Sequence, residues 1–129
     1  SGFCDEQECD EGKMVNNGVQ EISKCNFEQF INKPAAVVDF FAEWCMPCLM
    51  LSPAIEEMAE KFKSRIEFAR LNIDENSEIA NKFKISSVPT LLFFKEGKLI
   101  NRIIGNLPPN VLEERFNKML IGSIEKKLL

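Results

Sequence analysis

The sequence lacks several features that would place the chain in other classes of protein. No apolar run approaches the length of a membrane span, so no membrane association is expected. The first residues lack the basic and then apolar segments typical of a signal peptide. No glycine-rich phosphate loop is present, and therefore no bound nucleotide is expected.

The chain also lacks an excess of basic charge. The chain has 129 residues and a net charge of −4, which its first 18 residues account for by themselves. The remainder is neutral overall, which argues against a nucleic-acid surface. The length suits one domain. We therefore predict a flexible acidic extension over residues 1–18 and one folded domain over residues 19–129, expected to be monomeric.

The chain contains five cysteines and no histidine. An odd number of cysteines argues against a simple framework of structural disulfides. One close pair of cysteines in an otherwise ordinary domain is more typical of redox work in the cytosol. A cytoplasmic location is therefore expected.

From residue 19 onward the pattern alternates between strands and helices, and Asn26 with Gln29 suits a capping box at the first helix. The strands are expected at 19–23, 35–42, 66–73, 90–94 and 99–104, and the helices at 27–32, 45–62, 77–83 and from 109 onward. Met50 and Met58 are expected to pack in the core. The order predicts an α/β fold with a central mixed β-sheet flanked by helices.

Cys45 and Cys48 lie where the central strand passes into a helix. The amide groups and dipole of a helix N-terminus stabilise a thiolate. The spacing lets the two sulfurs form a disulfide. Cys45 is expected to be the exposed nucleophile and Cys48 the resolving thiol. Two buried structural cysteines, or half of a zinc site, are the alternatives.

Asp39 interrupts the apolar central strand six residues before Cys45. A carboxyl group buried there has a raised pKa and could take and return the proton of Cys48, directly or through a water. The alternative is a carboxylate held by backbone donors or by a cation.

Several separated motifs make the chain similar to the thioredoxin family over about residues 19–121. Residues 38–48, Val-Asp-Phe-Phe-Ala-Glu-Trp-Cys-Met-Pro-Cys, resemble the family's active-site signature, which includes Pro47. Val88-Pro89-Thr90 resembles its substrate loop. Pro53, Gly97 and Gly105 fall on a helix kink and two later glycines of the family. The resemblance implies the thioredoxin fold and a protein disulfide reductase.

The resemblance also implies roles for individual side chains. Pro89 would be cis and would present the backbone of Val88 to an extended substrate. Trp44 would form a flat wall beside Cys45, or would be a core or scaffold residue. Met46 stands where thioredoxins usually have glycine, next to the nucleophile. Arg70 replaces a lysine near the buried acid; it would hold Asp39 more ionised, unless it is simply exposed.

Cys4 and Cys9 lie in the acidic extension. They could pair as an accessory redox dithiol, could join Cys45 and Cys48 in a tetrathiolate zinc site, or could be inert. No metal and no bound cofactor is expected, because the redox group is the Cys45–Cys48 disulfide itself.

The sequence thus predicts a thiol–disulfide oxidoreductase that reduces protein disulfides and is recharged by a reductase of the thioredoxin-reductase type. An oxidant or isomerase outside the cytosol is one alternative. A non-catalytic metal-binding or interaction module on the same fold is the other.

Overall fold

The computed structural model describes the backbone of residues 13–128 and the side chains of residues 17–122. The strands are β1 (Lys13–Asn16), β2 (Val19–Ile22), β3 (Ala36–Phe41), β4 (Glu67–Asn72), β5 (Thr90–Lys95) and β6 (Lys98–Ile104). The helices are α1 (Phe27–Ile31), α2 (Met46–Lys61), α3 (Ser77–Lys82) and α4 (Pro109–Leu128).

The strands form one mixed sheet in the order β1-β2-β4-β3-β5-β6. Strand β4 pairs in parallel with both β2 and β3, whereas the β3–β5, β5–β6 and β1–β2 pairs are antiparallel. All six residues of β3 are buried, as its continuous apolar run predicts for a strand covered on both faces. The predicted mixed α/β fold is confirmed.

Each face of the sheet has its own apolar core. Val37 of β3 packs on one face with residues of α2 and α4, among them Leu51 and Phe116. Val38 and Phe40 pack on the other face with residues of α1. Because strand side chains alternate between faces, Asp39 shares the face of Val37. The sheet therefore places Asp39 on the α2 side, beneath the helix that begins with the two cysteines.

Strand β1 was not predicted. Its residues were assigned to the polar extension, yet β1 pairs with β2 through a tight turn. Asn17 and Gly18 have φ values of 46° and 89° in that turn, the conformation that Asn-Gly favours in two-residue hairpins. The Asn-Gly pair was therefore a usable signal that the polar composition of the segment obscured.

The predicted capping box at α1 is wrong. The side chain of Asn26 makes no cap hydrogen bond to the helix. Its Oδ1 instead accepts a hydrogen bond of 2.8 Å from the backbone amide of Ser23, which closes the loop before α1. The hairpin predicted around Gly97 is confirmed, with positive φ at both Glu96 and Gly97. Within the described part of the chain, no helix is both long and apolar enough to cross a membrane.

Candidate active site

The end of β3 delivers the two cysteines to the start of α2. The amide of Cys45 donates to the carbonyl of Ala42 at 3.2 Å, which closes the turn between strand and helix. Cys45 is the N-cap residue of α2, and Pro47 occupies its first turn, where no amide donor is needed. Cys45 and Cys48 form a disulfide with their Cα atoms 5.3 Å apart.

The surroundings of the Cys45 sulfur favour negative charge. The amide of Cys48 donates to Cys45 Sγ at 3.2 Å, and the sulfur sits at the positive end of a 16-residue helix. In the reduced protein, the same amide and the helix dipole would stabilise a thiolate at Cys45. The arrangement therefore favours a thiolate at Cys45 over one at Cys48.

Both cysteines are covered in the disulfide form. Cys45 is 3% exposed and Cys48 fully buried, so the expectation of an exposed Cys45 is not met. The pair packs with Phe41 and Ala42, and Ile73 and Val88 lie against the same cluster. The carbonyl oxygen of Val88 lies 3.6 Å from Cys45 Sγ, so the Val88 backbone is the immediate neighbour of the sulfur on that side.

The loop that carries Val88 is held by the strands behind it. The Val88–Pro89 peptide bond is cis, as the family resemblance implied. The carbonyl of Pro89 accepts a hydrogen bond from Gly105 at 2.9 Å, and the Thr90 hydroxyl donates to the carbonyl of Ser87 at 2.7 Å. These bonds fix the backbone of Val88 beside the sulfur.

Asp39 and Arg70 form a charged pair in the sheet next to the disulfide. They are direct neighbours in the β3–β4 register, and Arg70 Nε lies 3.6 Å from Asp39 Oδ2. That distance is too long for a hydrogen bond, and no described residue donates one to either carboxylate oxygen. The Arg70 guanidinium also stacks 4.0 Å from the ring centroid of Phe41. Arg70 is therefore a partly buried partner of Asp39, and the alternative of a simply exposed arginine is wrong.

Burial raises the pKa of Asp39 from its ordinary value of 3.8 to about 7, while the positive charge of Arg70 acts to lower it. Burial has the larger effect because the carboxyl group is wholly removed from water. A carboxyl group with this pKa can both accept and release a proton near neutral pH.

The turn before α2 and the first turns of α2 expose apolar side chains around the disulfide. We call Trp44, Met46, Leu49 and Met50 the apolar rim; each is more than half exposed. The prediction that Met50 packs in the core is wrong, because positions 46, 49 and 50 share the outer side of the helix. The buried side of α2 carries Leu51, Ile55 and Met58. The first turns of α2 are thus apolar on both faces, and folding requires only one of them.

Trp44 is held by a polar contact. Its side chain is 71% exposed, which excludes a core tryptophan, and its Nε1 donates to Asp74 Oδ2 at 2.9 Å. Asp74 was missed in the sequence. Its position in the sequence could have identified it. Strands β3 and β4 are parallel, so the residues that follow their carboxyl ends meet at one edge of the sheet.

The comparisons with known proteins agree with this geometry. The family model described as Thioredoxin matches residues 18–118. The chain belongs to the thioredoxin family. A thioredoxin of Chlamydia pneumoniae is 42% identical over 100 residues, covering 78% of this chain and 97% of that one. A thioredoxin of Chlorobaculum thiosulfatiphilum is 39% identical over 100 residues, covering 76% and 93%.

A solved structure supports the same fold. A mutant thioredoxin from Halobacterium salinarum superposes with a TM-score of 0.74 at 24% identity, covering 84% of this chain and 96% of that one. Members of the thioredoxin family are thiol–disulfide oxidoreductases that work through a redox-active disulfide. This chain is therefore a thiol–disulfide oxidoreductase with its CXXC disulfide at Cys45–Cys48.

The sequence also raised a role for Cys4 and Cys9 and a zinc site. Cys4 and Cys9 are outside the described residues, so their predicted pairing is not tested. Among the side chains of residues 17–122, no group of three or more His, Cys, Asp or Glu is placed to hold a metal ion. A surface groove of about 1060 Å³ lies under the second half of α2, between Asn17 and Phe68, and neither cysteine of the site lines it.

Proposed function

We propose that the chain is a protein disulfide reductase that exchanges the Cys45–Cys48 dithiol for disulfides in other proteins. One observation carries the proposal: Cys45 Sγ accepts the Cys48 amide at the N-terminus of α2, beside the carbonyl of Val88. This arrangement supports a thiolate at neutral pH next to a backbone that a substrate strand can pair with.

The first step forms a mixed disulfide. The Cys45 thiolate attacks one sulfur of the substrate disulfide, a new sulfur–sulfur bond forms to Cys45, and the second substrate sulfur leaves as a thiolate. The Cys48 amide and the dipole of α2 stabilise the attacking thiolate before the step.

The second step releases the substrate. Cys48 gives its proton to the Asp39 carboxylate, directly or through a water, and its thiolate attacks Cys45 Sγ. The Cys45–Cys48 disulfide forms as the bond between Cys45 and the substrate sulfur breaks, and that sulfur leaves as a thiolate. Two electrons have then passed to the substrate, whose two thiolates can take up protons. A pKa of about 7 suits Asp39 to this task, and the charge of Arg70 keeps part of the carboxyl population ionised.

Substrate binding combines backbone pairing and apolar contact. Val88, Pro89 and Thr90 would pair with an extended segment on one side of Cys45. Trp44 and the other members of the apolar rim would contact its apolar side chains on the other side. Pro47 would shape the surface between them. Disulfides with apolar neighbours should therefore be preferred substrates.

The same chemistry requires a source of electrons. The oxidised protein would be recharged by a reductase of the thioredoxin-reductase type that delivers two electrons, with no cofactor bound to this chain. We propose that the protein works as a cytoplasmic monomer in electron transport to protein disulfides. Cys4 and Cys9 would be accessory redox thiols that are not needed for the main reaction.

Trapping the intermediate tests the proposal. Cys48→Ser removes the resolving thiol, so a protein disulfide such as that of insulin should remain covalently bound to Cys45. Cys45→Ser should trap nothing. Cys4, Cys9 and Cys25 are changed to Ser in both proteins to exclude their thiols. Absence of an adduct in the Cys48→Ser protein, or an equal adduct in the Cys45→Ser protein, would contradict the proposed order of attack.

The reduction potential of the Cys45–Cys48 pair separates a reductase from an oxidant. Thioredoxin itself lies at about −270 mV, and a value close to it would support a reductant. A value of about −180 mV or higher would instead favour an isomerase or oxidant, and Met46→Gly would then test whether the rim residue beside Cys45 sets the potential.

A further inference from the structure

Three buried asparagines lie at the same edge of the sheet as Trp44. Asn72 ends β4, Asn76 precedes α3 and Asn26 precedes α1; each is less than 8% exposed. A buried amide is unfavourable unless its polar atoms are hydrogen-bonded. What these side chains bind therefore indicates what they are for.

Asn72 and Asn76 together fix the turn between them. Asn72 Oδ1 accepts hydrogen bonds from the amides of Asp74 at 2.8 Å and Glu75 at 3.2 Å. Asn76 Nδ2 donates to the carbonyl of Asn72 at 3.0 Å. Asn76 Oδ1 accepts from the amide of Lys24 at 2.9 Å, which ties the turn to the loop before α1.

The turn holds the acceptor of Trp44. Asp74 accepts the indole Nε1–H, and this contact is exposed to water. An exposed hydrogen bond orders a side chain only weakly when its acceptor is itself mobile, because water competes and ordering costs entropy. The orientation of Trp44 thus depends on how firmly the backbone of Asp74 is held, and Asn72 and Asn76 hold it.

We propose that Asn72 and Asn76 are positioning residues that set the orientation of Trp44 beside Cys45 through Asp74. The consequence for catalysis rests on the proposed function, in which Trp44 contacts the protein substrate. The consequence for Trp44 itself does not, because it follows from the hydrogen bonds alone.

Trp44 fluorescence can test this proposal, and Asn26 provides a control substitution. Trp44 is the only tryptophan, so the steady-state anisotropy and emission maximum of the oxidised protein report on this side chain alone. Asn26 is as buried as Asn72 and its Oδ1 also accepts a backbone amide, that of Ser23, whereas the hydrogen bonds that hold the turn at Asp74 come from Asn72 and Asn76. Asn26→Ala therefore removes a buried side-chain amide, as Asn72→Ala does, but keeps the hydrogen bonds of Asn72 and Asn76 to the turn.

We expect Asp74→Ala, Asn72→Ala and Asn76→Ala all to lower the Trp44 anisotropy, and Asn26→Ala to leave it unchanged. The KM for a protein disulfide should rise about fivefold, the factor that one net hydrogen bond is worth, with kcat and the Cys45–Cys48 potential unaltered. Asn72→Asp retains the acceptor for the Asp74 amide and should restore much of the anisotropy.

The proposal would be overturned if Asn76→Ala had the same Trp44 anisotropy as the unaltered protein while Asp74→Ala lowered it. An equal change in Asn26→Ala would also overturn it, because that would mean a general loss of packing. If Asn72→Ala does not fold, Asn76→Ala and Asn72→Asp carry the test. The trapping experiment could instead fail while the anisotropy changes are as expected. That result would reject the proposed reductase but would still support the positioning role of the two asparagines.

Discussion

Two regions flank the Cys45–Cys48 disulfide, the β3–β4 strand pair beneath it and the apolar rim of α2 beside it. The strand pair contains a fully buried carboxyl group and its arginine partner. The rim exposes four large apolar side chains to water. Each region reverses the usual distribution of charge and apolar surface in a folded protein.

Neither region is explained by folding alone. A buried acid without a hydrogen-bond donor among the described residues costs free energy, and the rim leaves unused the apolar burial that stabilises the core elsewhere. Away from the site the sheet is packed in the ordinary way, for example where Phe62 and Phe68 meet Phe116 edge to face. The two reversals meet at one disulfide, which points to proton transfer below it and substrate contact beside it.

The largest expected effect is on stability. The folded protein holds the Asp39 proton up to a pKa of about 7, whereas the unfolded chain releases it near 3.8. Between these values the folded state binds more protons, so the unfolding free energy falls as pH rises and levels off above about pH 7. The difference amounts to about 4 kcal/mol.

Denaturant unfolding of the oxidised protein between pH 3 and pH 8 measures this cost. Asp39→Asn should remove the contribution, so that its stability advantage over the unaltered protein grows as pH rises. Glu57→Gln removes a half-exposed carboxylate and is the control for the lost charge. A difference between Asp39→Asn and the unaltered protein that is the same at every pH would show that Asp39 does not titrate in this range.

The second prediction concerns rate. Asn at position 39 cannot accept the proton of Cys48, so Asp39→Asn should slow release of the substrate about 100-fold at pH 7. Formation of the mixed disulfide should not change, because Asp39 takes no part in it. Rapid-quench measurements separate the steps, and in a Cys48→Ser background Asp39→Asn should have no effect. Equal slowing of both steps would assign Asp39 a structural role.

The strand pair was largely predictable from sequence, and the rim was not. Asp39 stood out because a charge interrupted an apolar strand, and alternation along β3 then fixed its face. Met50 was misassigned because helical spacing identifies one apolar face, and here both faces are apolar. Asp74, Asn72 and Asn76 were missed, since a polar side chain at the end of a strand looks the same whether it binds the solvent or a tryptophan on another loop.

The third prediction sharpens the role of the buried cation. Arg70 favours the ionised form of Asp39. Arg70→Met should therefore raise the pKa of Asp39 and move the midpoint of the release step up by about one pH unit. Arg70→Lys keeps the charge and should move it less, although the stacking on Phe41 is lost. A midpoint that stays in place in Arg70→Met would mean that burial alone sets the pKa.

The smallest expected effect is on substrate binding by the apolar rim. Leu49→Lys places a charge in the apolar rim and should raise the KM for a protein disulfide about fivefold, roughly 1 kcal/mol, through lost apolar contact. A small aromatic disulfide, which is too small to span the rim, should react as before. Stability should change by no more than about 0.5 kcal/mol because Leu49 is already exposed.

Leu99→Lys is the matched control for the rim, since Leu99 is also an exposed leucine but lies on the edge strand β6. Recognition by apolar contact should depend little on salt in the unaltered protein and more in Leu49→Lys, whose added charge is screened by ions. If Leu49→Lys and Leu99→Lys raise KM equally, general surface charge is responsible. The rim would then need another explanation, and only the buried pair would mark the site.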